Sequence, residues 1–327
     1  MAESSHTIPV VVLFGPTASG KTAVLEELFG GKTSFRAEIV SADSMQVYRG
    51  MDIGTAKPLP AERKALPHHL IDIRSPSEQF NAGDFVRLAS AACRDIHRRG
   101  LLPVVSGGTG FYLKNLIYGL PEAPPSDPAL RMTLREELKN RGLQALAAEL
   151  AASDPVSARR IHINDEYRLL RALEVFRLTG RPLSSYSWNN APGASCQDGT
   201  EAERPFRFLL LTLVRGRDEL YTRINERVAQ MFRRGLPGEA AALFRSGYTP
   251  LDPGLKAIGY KEFFIEDAPG VFRLSQDMEA VQELIARNSR RYAKRQICYF
   301  ASIPGVRRIS AGSSAAGDLA RALENFV

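Results

Sequence analysis

The residues Gly15-Pro16-Thr17-Ala18-Ser19-Gly20-Lys21-Thr22 fit the pattern G-x-x-x-x-G-K-[ST]. They sit where that pattern carries meaning, after an apolar run at 8–15 (IPVVVLFG) and before a helix-forming stretch at 21–29. A strand, a glycine turn and a helix in that order turn backbone amides inward around phosphate oxygens, with the positive end of the helix behind them. Lys21 adds a point charge, and the Thr22 hydroxyl is suited to ligate Mg²⁺. The loop alone leaves open whether its ligand is a nucleoside triphosphate or another diphosphate.

The stretches around the loop fit the same architecture. Continuous apolar, β-branched runs recur at 38–44 (EIVSADS), 69–73 (HLIDI), 101–108 (LLPVVSGG) and 206–214 (FRFLLLTLV), as expected of strands buried on both faces of a parallel sheet. Helical stretches at 21–29, 81–99 and 111–118 alternate with them, which predicts an α/β fold, a P-loop NTPase-like doubly wound parallel sheet. The rhythm breaks at PEAPPSDP (121–128), a candidate hinge, and the chain then reads as helix only up to the polar stretch 185–205. The expected organisation is a core from 1–121 and 205–327, with an inserted all-helical domain at 122–204. In the last third, Leu220, Ile224, Val228 and Phe232 recur at four-residue steps, with Arg223 and Arg227 on a neighbouring face. A further helix is expected over 276–301, with Val281, Leu284, Ile285, Tyr292 and Ile297 on its core side.

Charge and cysteines narrow the class. Lys and Arg total 43 against 36 Asp and Glu, a net +7 that favours a polyanionic partner only if it is clustered. It is clustered between Arg287 and Arg308, where seven Lys or Arg occur without an acid and with Tyr292, Tyr299 and Phe300 among them. Such a run reads equally as a solvated helix face. Cys93, Cys196 and Cys298 lack metal spacing and are too few for a disulfide framework, which suits a reducing compartment. The apolar run at 8–14 is too short to span a membrane and has no basic leader, so a cytoplasmic chain is expected. His68 and His69 stand alone and read as packing residues rather than metal ligands. On residue type alone, Asp43 reads first as a cap after a strand, Thr109 as part of a Gly-Gly-Thr-Gly turn and Arg223 as a surface arginine.

The order of short motifs adds a resemblance. Residues 41–48 read SADSMQVY, residues 50–58 read GMDIGTAKP and residues 67–73 read PHHLIDI. GGTG at 107–110 with Tyr112, Asn164-Asp165 leading into Arg168, RALEV at 171–175, Arg223-Ile224 with Arg227-Val228, IGY at 258–260 and AKRQ at 293–296 come next, in that order. Together with the P-loop this closely resembles the tRNA dimethylallyltransferases, also called isopentenyl-tRNA transferases, over nearly the whole chain. The resemblance implies transfer of a dimethylallyl group from dimethylallyl diphosphate to the exocyclic amine of the adenosine next to the anticodon on its 3′ side, with release of diphosphate. It implies Asp43 as general base, because that amine is a poor nucleophile and a carboxylate would take its proton. It also implies Thr109 and Arg223 as contacts of the oxygen that bridges the diphosphate to the prenyl group. The P-loop residues Gly15 to Thr22 would hold the diphosphate with Mg²⁺ on Thr22.

For the RNA, the resemblance implies contacts by Asp43, Ser44, Met45 and Gln46 with the target base, and by Thr109 nearby. Tyr167, Arg168, Leu169, Leu170 and Arg171 in the inserted domain, and Lys256, Gly259, Tyr260 and Lys261, are further expected contacts. Arg291 and Arg295, four apart on one helix, would complete a basic tRNA surface. Met45-Gln46 and the lysines at 256 and 261 depart from common family members, which leaves detail of the base contacts open. Longer relatives carry a C-terminal zinc finger, and no Cys or His follows Cys298, so that module is not expected. A monomer acting on tRNA and dimethylallyl diphosphate, without a membrane, is the resulting expectation. Two enzyme alternatives share the loop: a prenyltransferase of free adenine nucleotides, and a small-molecule kinase using ATP. A non-catalytic nucleotide switch would need an NKxD-type base motif, which the sequence lacks.

Overall fold

In the structure, a computed structural model, residues 7–30, 35–120, 123–186 and 206–326 are described. The strands are β1 (Ile8–Phe14), β2 (Ala37–Ser41), β3 (His68–His69), β4 (Leu102–Gly107), β5 (Phe206–Val214), β6 (Phe264–Ala268), β7 (Val271–Leu274) and β8 (Arg307–Ser310). The helices are α1 (Lys21–Phe29), α2 (Pro60–Ala65), α3 (Ala82–Arg98), α4 (Gly110–Tyr118), α5 (Pro128–Ser153), α6 (Pro155–Arg160), α7 (Glu166–Thr179), α8 (Arg217–Arg233), α9 (Leu236–Arg245), α10 (Met278–Phe300) and α11 (Ala315–Glu324). The chain divides into two compact units, Met1–Ile117 with Glu203–Val327, and Tyr118–Ala202.

The first unit is built on a parallel sheet of order β3-β2-β4-β1-β5-β8. Its apolar runs are buried because helices cover the sheet: Val11, Leu13, Val104 and Leu211 are all fully enclosed. β1 lies between β4 and β5, while the chain leaves β1 for β2 on the far side of β4. The carboxyl ends of β1, β2 and β4 therefore share one edge, the position at which open α/β sheets present ligands.

The second unit packs α5, α6 and α7 around Leu134, Leu146, Leu150, Leu169, Leu170 and Leu173. α5 is interrupted at Gly142, whose φ of +79° a side chain would oppose. Glu174 is fully buried, and its carboxylate accepts hydrogen bonds from Ser126 Oγ (2.6 Å), the Asp127 amide (2.7 Å), Arg131 (2.9 Å) and Arg171 (2.8 Å). Burial pushes its carboxyl up, and these donors outweigh that and hold it below the usual range.

Three expectations are corrected. The run at 69–73 is strand only at its first residue, because Leu70 and Asp72 adopt positive φ and turn the chain away. The last third is not helical throughout: β6 and β7 form a hairpin and β8 adds an edge to the main sheet. The basic cluster is thereby divided, with Arg307 and Arg308 in β8 and the rest on α10. On α10 the inward position near its end belongs to Gln296 rather than Ile297, which is 46% exposed. The polar stretch at 185–205 lies outside the described residues beyond Tyr186, as does Cys196.

Candidate active site

The P-loop follows β1 and is braced from its carbonyl side. Lys21 Nζ donates to the carbonyls of Gly15 (2.9 Å) and Pro16 (3.1 Å), Arg223 Nε to that of Ala18 (3.0 Å), and Arg215 Nε to that of Ser19 (2.8 Å). The Thr17 amide is taken by Gln296 (2.9 Å) and that of Ser19 by the Pro16 carbonyl (3.2 Å), which leaves the amides of Ala18, Gly20, Lys21 and Thr22 without a hydrogen bond among the described residues. α1 has Gly20 (φ +99°) as its N-cap, without a side-chain cap and without an acid in its first turn, so no such group among the described residues offsets the positive helix end. Ser19 Oγ is buried without a hydrogen-bond partner among the described residues, and Ala18 holds a left-handed φ of +62°, backbone strain that such a brace sustains.

Neighbouring strand ends supply the remaining groups. Asp43 follows β2, and its Oδ1 accepts the amides of Met45 (2.9 Å) and Gln46 (3.3 Å), which is the capping role its residue type suggests. Oδ2 takes no hydrogen bond among the described residues and remains for other work. After β4, Thr109 Oγ1 accepts the Ser44 amide (3.0 Å) and fixes the Asp43 turn against the β4 turn. Gly107 is needed there, since a Cβ would come within 2.2 Å of the Ala42 carbonyl oxygen.

These ends open on one cavity of about 700 Å³. Thr17, Ala18, Gly20, Lys21 and Thr22 form its floor, with Asp43 to Gln46 on one wall and Arg223 and Arg227 from α8 on another. Gly15, Pro16 and Ser19 are buried beneath the loop and act through their carbonyls. Ile224, Val228, Met231, Ile258 and Ile285 give the cavity an apolar side. Burial, reinforced by the charge of Arg227 and opposed by that of Asp43, brings Lys21 down to about 8. Burial also lowers Arg227, against the pull of Asp43, yet a guanidinium stays charged. Around the P-loop the cavity thus sets Lys21, Arg223 and Arg227 near Asp43, within a lining that also carries Lys256, Lys261, Arg295 and Glu226.

The expected RNA contacts divide into several groups. Lys256, Lys261 and Arg295 are exposed and line the cavity, and Arg291 is exposed on α10. Gly259 and Tyr260 differ from expectation: both are buried, with Tyr260 OH donating to Glu239 (2.6 Å) and accepting the Gly54 amide (3.1 Å). Gln46 is largely engaged within its own loop, accepting from Ser41 Oγ (2.9 Å) and donating to the carbonyls of Thr55 and Ala56. In the helical unit, Tyr167 is 71% exposed with Arg131 over its ring (4.6 Å), and Arg168 is exposed beside Asp165. Leu169 and Leu170 are core residues and not offered at a surface, while Arg171 is half-buried and tied to Glu174 and the Pro124 carbonyl.

Two residues at the site carried no assignment from sequence. Arg227 lines the cavity without an ion pair among the described residues, and its place one turn after Arg223 was the available signal. Gln296 is 5% exposed, accepts the Thr17 amide (2.9 Å) and donates to the Gly108 carbonyl (2.7 Å), so it joins the P-loop to the β4 turn. Beside it burial pushes the Tyr292 hydroxyl up to about 12, with the charge of Asp43 adding to this.

Comparison with known proteins agrees with this geometry. A family model described as IPP transferase matches residues 46–303. A tRNA dimethylallyltransferase of Geobacter sulfurreducens is 43% identical over 301 residues, covering 91% of this chain and 90% of that protein. One of Geobacter metallireducens is 45% identical over 294 residues, 89% of each. Among solved structures, the full-length tRNA isopentenylpyrophosphate transferase of Bacillus halodurans superposes with a TM-score of 0.64 at 36% identity over 98% of both chains. A eukaryotic dimethylallyltransferase solved in snapshots acting on tRNA gives 0.75 at 27% identity, over 98% of this chain and 79% of that one.

Proposed function

The chain belongs to the IPP transferase family and is a prenyltransferase, and from that premise we propose that it moves a dimethylallyl group from dimethylallyl diphosphate to the exocyclic amine of the adenosine on the 3′ side of the tRNA anticodon. The observation that carries this reading is a cavity in which an uncapped phosphate loop, the cations Lys21, Arg223 and Arg227, the carboxylate of Asp43 and an apolar wall meet.

Each part answers a need of the reaction. The diphosphate lies on the P-loop amides with Lys21, Arg223 and Arg227 around it, and the short hydrocarbon lies against Ile224, Val228 and Ile285. The target base leaves its stack to reach Asp43, whose free Oδ2 takes the amine proton as the carbon–nitrogen bond forms and diphosphate departs. Thr109, which is not among the residues lining the cavity, steadies the turn that carries Asp43. The Thr22 hydroxyl, exposed to the cavity and without a hydrogen bond among the described residues, fits Mg²⁺, which keeps most of its shell from water and phosphate oxygens and would offset charge on the diphosphate. No helix among the described residues is long and apolar enough to cross a membrane, in keeping with a substrate in solution.

Incubation with labelled dimethylallyl diphosphate and unmodified tRNA should put label on one adenosine per acceptor tRNA and release one diphosphate. Label on free AMP, ADP or ATP but not on tRNA would replace the RNA substrate with a nucleotide, and phosphoryl transfer from ATP would replace the reaction class.

The RNA grip has its own test. Arg291 and Lys294 are exposed on α10 and three apart, so they share a face, whereas Arg295 also lines the cavity. Changing Arg291 and Lys294 together to Ala should flatten the log–log salt dependence of tRNA affinity by roughly one unit for each phosphate no longer neutralised, while the KM for dimethylallyl diphosphate stays within about twofold. An unchanged slope would make this face merely solvated and leave recognition to residues such as Arg168.

A further inference from the structure

One carboxylate that does not line the cavity is bound closely to the framework of the site. Glu239, in the first turn of α9, accepts the amides of Asp52 (3.0 Å), Ile53 (2.9 Å) and Gly54 (3.2 Å), together with the Tyr260 hydroxyl (2.6 Å). Three successive amides turned toward one point form a concave anion site, and here the protein fills it with its own side chain. The fit is close: a Cβ on Gly54 would lie 2.5 Å from the Tyr260 ring, so this turn, Tyr260 and Glu239 interlock.

The turn so held continues into the cavity wall. Lys57, its side chain 2% exposed, donates to the Tyr48 carbonyl and pairs with Asp52 (2.7 Å) and Asp72 (2.5 Å), closing the loop on itself. Between these two anchors Ala56 holds a φ of +49°, a conformation an alanine keeps only where its surroundings over-determine it. The carbonyls of Thr55 and Ala56 then receive Gln46 Nε2 (3.3 and 3.2 Å), and the Gln46 amide donates to Asp43 Oδ1 (3.3 Å). Hydrogen bonds, joined through the backbone from Gly54 to Ala56, run from α9 to the Asp43 carboxylate that lines the cavity.

We infer that Glu239 is a positioning residue for the transfer reaction: by filling the amide turn at 52–54 it fixes Gln46 and, through Gln46, the orientation of Asp43. This rests on the reading of Asp43 as the base. Glu239 does not itself line the cavity and makes no hydrogen bond to the P-loop among the described residues, so the phosphate site should not feel its loss. A neutral Gln keeps one acceptor but brings an NH₂ against amide donors, so E239Q should lie between the parent and E239A.

The test measures single-turnover transfer at saturating tRNA and dimethylallyl diphosphate, and binding of inorganic diphosphate, in Glu239→Ala, Glu239→Gln and Asp43→Ala and in the Glu239→Ala/Asp43→Ala double variant. Circular dichroism at the assay temperature confirms folding. The expected result is a loss of tenfold or more in E239A, a smaller loss in E239Q, diphosphate affinity within about twofold, and no further loss when E239A is added to D43A. Folded E239A at the parental rate, or a loss of the same size in both backgrounds, overturns the inference. Should E239A fail to fold, Tyr260→Phe, which keeps the ring and removes one donor to Glu239, must show a loss of a few fold with unchanged diphosphate affinity, and a parental rate there overturns it. D43A at the parental rate instead marks failure of the base assignment, a different outcome from either.

Discussion

Asp43→Ala is expected to lower the single-turnover rate by about two to four orders of magnitude, the contribution of a well-placed base and equivalent to roughly 3–5 kcal/mol of barrier. Binding of inorganic diphosphate and of tRNA should survive. The structure gives Asp43 two separable jobs, because Oδ1 holds the amides of Met45 and Gln46 while Oδ2 is unengaged among the described residues. Alanine removes both jobs, so Asp43→Asn is the sharper companion: its side-chain oxygen still accepts the two amides, but it cannot take a proton. If the carboxylate is the base, Asn should be nearly as slow as Ala. A rate restored by Asn would reduce Asp43 to the cap its residue type first suggests, and a near-parental rate in Ala would remove it from the chemistry.

Much of this arrangement was legible because it is local. A glycine pattern between a strand and a helix needs only neighbours in sequence, and α1 and β5 begin and end where the apolar runs predicted. Asp43, Thr109 and the P-loop could be joined because each follows a run that reads as a parallel strand, and parallel strands present their carboxyl ends together. The hidden features depend on distant pairs. Glu239 and Gly54 are separated by 185 residues and Gln296 and Thr17 by 279, and neither Glu nor Gln on a helix announces that its partner is a backbone amide. Tyr260 was expected as an RNA contact through the resemblance of residues 256–261 to a tRNA-contacting stretch, and the Gly54 backbone against its ring makes it a packing joint instead. Leu169 and Leu170 failed for a simpler reason: a motif read as a block ignores that successive helical residues cannot all face outward. The β6–β7 hairpin and β8 are short, and short strands carry too few residues for a period to emerge.

Arg223→Ala should slow the chemical step by about a hundredfold or more, as expected when one donor to a developing oxyanion is removed. Its Nε is committed to the Ala18 carbonyl, which holds the guanidinium beside the P-loop and leaves the terminal nitrogens for a ligand in the cavity, where Nη2 lies 3.8 Å from the position of a Cβ at Gly20. That commitment also braces a loop with Ala18 in a left-handed conformation, so two effects of the variant must be separated. Loss of the brace would weaken inorganic diphosphate and dimethylallyl diphosphate alike, whereas loss of charge stabilisation at the leaving oxygen would lower the rate with both substrates saturating. The rate at saturation should therefore fall much further than the affinity for inorganic diphosphate. Arg223→Lys keeps the charge but cannot both hold Ala18 and reach the ligand with a planar fork, so it should recover only part of the rate. Arg227 supplies a second cation on the same helix face and should keep some activity in either variant. A defect confined to tRNA affinity, with an unchanged rate at saturation, would move Arg223 out of the chemistry and into the RNA surface.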